Sequence, residues 1–247
     1  MGSLVLLSVL GLSTLVTSFI SGILGMAGGM ILMGVLLALL PLPAAMMLHG
    51  ISQLASNGWR ALMLRREIDW RVIRGYSAGA ALALAGFMLL QLVVAKPVAL
   101  IAMGLTPFVA MVLPERLHLN VERPWHPMAC GFICLAFNLT AGIAGPLLDI
   151  FFVRSKMTRQ AVVATKAATQ ALSHVVKVGY FGVIATAASE SVTPGLVATI
   201  VVLAFVGTTL SRQVLERITD AAFRQWTRWT VMSLGVLYLV GGLRLAA

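Results

Sequence analysis

Two sets of polar residues stand apart in a chain that has little polarity elsewhere. One is His49, Gln53, Ser56, Asn57 and Arg60; the other is Lys166, Thr169, Gln170, Ser173, His174 and Lys177. Offsets of 0, 4, 7 or 8, and 11 keep each set on one face of an α-helix. An uncompensated charge in hydrocarbon costs about 3 kcal/mol or more, so ionisable groups there usually line a pathway. Plainer roles exist for single members. Arg60 and Lys177 could snorkel from helix ends, and Gln53, Gln170, Ser56 and Ser173 could bond helix to helix. His49 alone could be a packing histidine. Together the two stripes describe a hydrophilic cavity, with Lys166, about two turns inside its segment, as the countercharge.

Each stripe follows a small-residue break. The stretch SGILGMAGGM, Ser21 to Met30, contains Gly25, Gly28 and Gly29, and Gly142-Ile143-Ala144-Gly145-Pro146 occupies the matching place later on. The apolar runs after the breaks, 29–40 and 145–153, are shorter than the roughly 20 residues a span needs. They read as short return arms starting at Gly28-Gly29-Met30 and Gly145-Pro146-Leu147, with Pro146 in a first helical turn where its missing N–H is no loss. Helix N-termini present unpaired N–H groups and partial positive charge, so two of them near the midplane make an anion site. Asp149, the one acid in an apolar arm, could pair with Lys166 or couple transport to a cation or proton. His49 and His174 are further coupling candidates because histidine titrates near neutral pH.

The elements that hold these residues follow from composition. The 247 residues are 60% hydrophobic and 11% charged, with a mean hydropathy of +0.97. A soluble domain carries roughly twice that charge. Long continuous apolar runs exclude barrel strands and leave an all-α polytopic membrane protein. The net charge of +10 lies in short loops, where it sets topology and gives no reason to expect nucleic acid. Cys130 and Cys134 read as packing residues, with no disulfide framework or zinc spacing. Gly79, Gly86, Gly207, Gly235, Gly241 and Gly242 read as helix-packing positions. No metal site or cofactor is expected, and the first apolar run lacks the basic start of a cleaved signal peptide.

Sliding the chain by 117 residues sets Gly25 on Gly142, Gly28 on Gly145, Gln53 on Gln170 and Ser56 on Ser173, with Arg60 opposite Lys177 and His49 opposite Lys166. The chain therefore reads as a single transmembrane transport domain over 1–247 with repeat halves of about 1–115 and 125–247. The basic clusters are Arg60/Arg65/Arg66/Arg71/Arg74, Arg116/Arg123, Arg154/Lys156/Arg159 and Arg212/Arg217/Arg224/Arg228. All face the cytoplasm if 4–40 and 127–153 each enter and return on one side as a V, leaving Lys96, Glu190 and Arg244 outside. Each half is then a re-entrant or broken V plus three transmembrane helices, and the two repeats are inverted. Eight simple spans are the alternative.

The first break, LPLPAAMMLHGISQLASNGWRALMLRREIDW, and the later AGIAGP and RQAVVATKAATQALSHVVKVGYFG resemble the TauE/SafE family of sulfite and organosulfonate exporters. The resemblance covers nearly the whole chain. It implies a transporter in the bacterial inner (cytoplasmic) membrane that exports a small sulfur-containing anion such as sulfite, sulfoacetate or another organosulfonate. Gly25, Gly28 and Gly29 match the first glycine motif, and Gly142, Gly145 and Pro146 the second; Met26-Ala27 departs from the more common glycine. The expected substrate contacts are Gly28, Gly29, His49, Gln53, Asn57, Gly145, Pro146, Lys166, Gln170, Ser173 and His174. The expected partners are a small inorganic or organic anion, the lipid bilayer and, as an assembly, a homodimer. An anion channel of the same architecture and an uptake carrier for a small carboxylate are the rivals. An intramembrane enzyme using Ser173/His174 or His49 is disfavoured, because adjacent helical residues point about 100° apart.

Overall fold

The computed structural model describes residues 2–112, 119–184, 192–215 and 220–246, and all regular structure among them is helical. The helices are α1 (Gly2–Leu24), α2 (Met26–Leu39), α3 (Leu42–Met63), α4 (Trp70–Leu90), α5 (Lys96–Val112), α6 (His126–Ala141), α7 (Gly145–Phe152), α8 (Arg159–Ile184), α9 (Pro194–Leu215) and α10 (Asp220–Ala246). Among the described residues, four stretches are long and apolar enough to cross a membrane by length and composition: Val5–Leu24, Trp70–Leu90, Pro194–Ser211 and Gln225–Ala246. Helices α3 and α8 have the length, 22 and 26 residues, but the polar stripes lower their hydropathy. Helix α5 has 17 residues and contains Pro107.

Both breaks are real, and each is a glycine in a backbone conformation that L side chains rarely adopt. Gly25 has φ +64° and Gly142 has φ +79°, which only glycine enters without steric cost. The second return arm begins as its sequence predicts, with Gly145 and Pro146 opening α7. The first begins earlier than predicted, at Met26 rather than Gly28. Gly25 alone reverses the chain, so Gly28 and Gly29 fall inside the first turn of α2. There Gly28 serves packing: a Cβ on it would lie 2.1 Å from the carbonyl oxygen of Thr17 and 2.4 Å from the amide nitrogen of Ser21 on α1.

The direction of each helix follows from which residues meet. Gly50, on α3, lies against Val178 and the carbonyl of His174 on α8, while the Asp69 amide beyond the far end of α3 bonds Thr165 Oγ1 at 2.9 Å near the start of α8. These helices are antiparallel neighbours. So are α5 and α10, where Gly104 meets Gly235 and Leu239, and Gly242 meets Ile101 and Pro97. Helices α1 and α9 run parallel, with Gly11 on Leu203 and Gly22 on Ser211; α4 and α6 also run parallel, with Gly75 on Pro127 and Gly79 on Met128 and Phe132. Gly79, Gly207, Gly235 and Gly242 are thus the packing positions their sequence suggests. Gly86 and Gly241 are not, since a Cβ on either meets nothing within 4 Å.

Several basic clusters share one end of the bundle. The loop before α6 is tied to the turn after α7 by Val121 N–H to Phe151 O at 3.1 Å, Asn120 Nδ2–H to Arg154 O at 3.0 Å and Lys156 N–H to Glu122 Oε2 at 2.6 Å. The α6–α7 segment therefore enters and returns on the same side. The Asp69–Thr165 bond brings the Arg65–Arg74 cluster to that side as well. Arg116, Glu190 and Arg217 lie outside the described residues. Between the ends, the core is methionine- and leucine-rich, with Met30, Met33, Leu36, Met46, Leu48 and Phe181 all at most 1% exposed. Cys130 and Cys134 are free, buried thiols with sulfurs 3.9 Å apart.

Candidate functional site

The antiparallel α3–α8 pair carries both polar stripes into the middle of the bundle, where the starts of α2 and α7 abut. A Cβ on Gly145 would sit 2.6 Å from the Cβ of Met26; only glycine lets the two helix N-termini come this close. Beside them is a cavity of about 40 Å³, room for a few water-sized groups. Its walls combine Gly29 of α2, Gly145 and Pro146 of α7, His49 and Gln53 of α3, and Gln170, Ser173 and His174 of α8.

The polar atoms here divide into those already bonded and those left open. His49 lies 3.0 Å through Nε2 from the carbonyl of Gly29, and its Nδ1 lies 2.8 Å from Lys177 Nζ. Because the lysine donates to Nδ1, the imidazole proton belongs on Nε2, donated to Gly29. Lys177 also donates to the carbonyl of Gly142 at 2.9 Å, so it caps the C-terminal end of α6 at the break, where a cation is favourable. Tyr76 and Ser173 share a 2.6 Å hydrogen bond. Gln53 Nε2, Asn138 Oδ1 and His174 Nδ1 are buried without a partner, although such groups in native structures nearly always have one. All three residues line the cavity. The rings of His49 and His174 meet edge to face, with centroids 5.6 Å apart.

A larger pocket of about 220 Å³ adjoins the cavity and includes Asn57, Arg60, Asp149 and Lys166. Met26, Gln53, Gly145 and Gln170 line both spaces, so this group forms the neck between them. In the outer space Lys166 is paired with Asp149, their side chains 26% and 40% exposed, and Arg60 reaches the carbonyl of Ser21 at 3.5 Å. Asn57 Nδ2 leans on Gln53 Oε1 at 3.4 Å.

Most of the residues singled out in sequence converge here, though in altered roles. Gly29, His49, Gln53, Gly145, Pro146, Gln170, Ser173 and His174 meet at the inner cavity; Asn57, Asp149 and Lys166 stand in the outer one. Gly28 faces α1 and Ser56 accepts a bond from Thr208 on α9 at 3.1 Å, so both hold helices together. Lys166 is not beside His49. That place belongs to Lys177, which is fully buried and does not snorkel; two helical turns separate it from the end of α8 at Ile184, too deep to reach water. Sequence reasoning missed Tyr76, Cys134 and Asn138 on α4 and α6 as cavity walls. Asn138 had a signal: it is an amide within an apolar run, 117 residues after Ser21, which borders the outer pocket. Ser173 is bonded to Tyr76 and His174 Nδ1 has no partner, which is not a nucleophile–base arrangement. Among the described residues no group of three His, Cys, Asp or Glu side chains is placed to hold a metal ion.

No match was found among curated proteins or among solved structures. A family model described as sulfite exporter TauE/SafE matches residues 10–238, from within α1 to within α10. With its membrane-length helices and a polar cavity at the meeting point of two broken segments, the chain is a multi-pass membrane protein that belongs to the TauE/SafE sulfite exporter family.

Proposed function

We propose that this protein is a secondary transporter that exports a small sulfur-containing anion, such as sulfite or an organosulfonate, by alternating access. The observation that carries the reading is the convergence of two helix N-termini on one buried cavity that holds unpartnered polar groups. Amides at the first turns of α2 and α7 supply donors and partial positive charge, Gln53 supplies an open N–H, and Lys177 stands behind His49 as the nearby basic group.

The two halves act in this reading as inverted repeats. Supporting it, the partners placed on each other by the 117-residue shift pack in equivalent ways: α1–α9 and α4–α6 are parallel pairs, and α3–α8 and α5–α10 are antiparallel ones. Both breaks turn on a positive-φ glycine. The equivalent basic residues, Arg60 and Lys177, each reach a carbonyl at the end of a V's first arm. Arg60 lies in the outer pocket while Lys177 is sealed, so this conformation is inward-facing, with the basic end of the bundle in the cytoplasm of a bacterial inner membrane. Outward opening exchanges the two environments.

The test is counterflow. Purified protein in liposomes loaded with unlabelled sulfite should take up labelled sulfite in a saturable exchange, with no unitary currents in a planar bilayer. Unitary currents would make it a channel, and absence of both exchange and anion-dependent thermal stabilisation would overturn the anion reading.

A further inference from the structure

We infer that the inner site is built for a singly charged anion and discriminates against dianions, with Lys177 as the residue that sets this charge preference. The inference rests on the anion-transport reading and narrows its substrate class.

The argument is a count of charges around the cavity. Among the described residues no aspartate, glutamate, lysine or arginine lines the inner cavity, whose titratable walls are His49, His174, Tyr76 and Cys134. Lys177 is the basic group closest behind them, at 0% exposure. Both of its hydrogen bonds go to uncharged acceptors, His49 Nδ1 and the carbonyl of Gly142. Among the described residues, no carboxylate is paired with it. Lys166, the other lysine in the neighbourhood, is neutralised by Asp149 in the outer pocket. Arg60 stands apart in the outer pocket on the carbonyl of Ser21, so protonated Lys177 gives the inner site a single positive charge without a carboxylate partner, held one imidazole behind the wall.

A buried charge is tolerated when it is paired and costs several kcal/mol when it is not. A monoanion entering the cavity completes a neutral set with Lys177. A dianion leaves one negative charge unpaired in a space of about 40 Å³, with neutral amides as its remaining partners. The open groups agree with a partly protonated or partly capped oxyanion. Gln53 Nε2 offers a donor to an anionic oxygen, whereas Asn138 Oδ1 offers an acceptor, which a bare dianion cannot use. The class this describes is a small tetrahedral or pyramidal sulfur oxyanion carrying one charge, such as hydrogensulfite or a short alkanesulfonate. A sulfonate with a second carboxylate lies outside it.

Two probes isolate charge from shape: methanesulfonate, tetrahedral with one charge, and sulfate, tetrahedral with two at neutral pH. Titration calorimetry on the full-length protein in detergent should show methanesulfonate binding at least tenfold more tightly than sulfate. Lys177→Met should lose at least tenfold in methanesulfonate affinity and bind the neutral isostere dimethyl sulfone at least as well, while Lys177→Arg should keep the order of the wild type. Equal or tighter sulfate binding by the wild-type protein overturns the inference and leaves the anion site standing, and this arm is independent of whether any variant folds. A monodisperse Lys177→Met protein that retains the methanesulfonate preference overturns the role of Lys177. If neither probe binds the wild-type protein while sulfite still raises its Tm, this inference fails and the anion-site reading stands; if sulfite gives no shift either, both fail.

Discussion

Gly145→Ala isolates the abutting helix ends more sharply than any charge change. The added methyl has an ideal position 2.6 Å from the Cβ of Met26, whereas unstrained carbon atoms sit about 3.5–4 Å apart. The starts of α2 and α7 must therefore separate by roughly 1 Å. Overpacking of this kind costs about 1–3 kcal/mol. Alanine's advantage as a helix former belongs to helix interiors and gives no offset here, because Gly145 is the first residue of α7 and precedes Pro146, where a Cβ is itself restricted. Both helices keep their own hydrogen bonds, so Tm should fall by several degrees without loss of the fold, and the displacement falls on the geometry the two ends present jointly. Donors displaced by 1 Å no longer converge on one oxyanion, so anion affinity should fall at least tenfold, about 1.4 kcal/mol. Gly86→Ala on α4 is the matched control, because its Cβ meets nothing within 4 Å and it gains helix propensity alone. Sulfite counterflow and anion-dependent thermal shifts on both variants provide the measurement. A Gly145→Ala protein with wild-type affinity would refute the claim that the two N-termini hold the anion together.

Gln53→Met removes the buried Nε2 that lacks a partner. An unsatisfied buried donor costs about 1–3 kcal/mol, so the variant should melt higher than the wild type without anion and show a smaller anion-induced shift; a lower Tm in anion-free buffer contradicts the idea that this donor waits for a ligand. Lys166→Met leaves Asp149 unpaired in the outer pocket, where its charge repels an incoming anion, so counterflow should drop about tenfold. Lys166→Met with Asp149→Asn should recover it, and a double variant as inactive as the single would show that Lys166 itself holds the anion. Because both side chains are substantially exposed, the pair's coupling energy from a double-mutant cycle in thermal or chemical unfolding should stay below about 1 kcal/mol.

Much of the site was legible because polarity is rare in this chain. The stripes on α3 and α8, the paired glycine breaks and the 117-residue echo all come from residue types that hydrocarbon tolerates only for a reason. Periodicity could not show which member of a stripe faces which space. Lys166 and Lys177 lie on the same face of α8, yet depth along the helix separates them: one reaches Asp149 in the outer pocket and the other is sealed against His49. The first return arm starts two residues earlier than its sequence predicts for a similar reason. Three glycines in five positions can turn a chain, and only the backbone angle at Gly25, against close packing at Gly28, tells which one does. Tyr76 and Asn138 went unnoticed because neither belongs to a polar stripe at helical spacing; the parallel packing of α4 on α6 brings them to the cavity.

The polar faces of α3 and α8 also bear on how the chain enters the membrane. Neither helix is among the stretches apolar enough to cross on composition, so neither partitions well on its own as it leaves the ribosome. Each is preceded by a hairpin, α1–α2 or α6–α7, whose helices are markedly more apolar. Those hairpins reach lipid first and offer the following helix a protein surface instead of bare hydrocarbon. Insertion of the central pair is thus tied to the segments synthesised just before it, and a lesion in either hairpin is felt during biogenesis as well as in the finished fold.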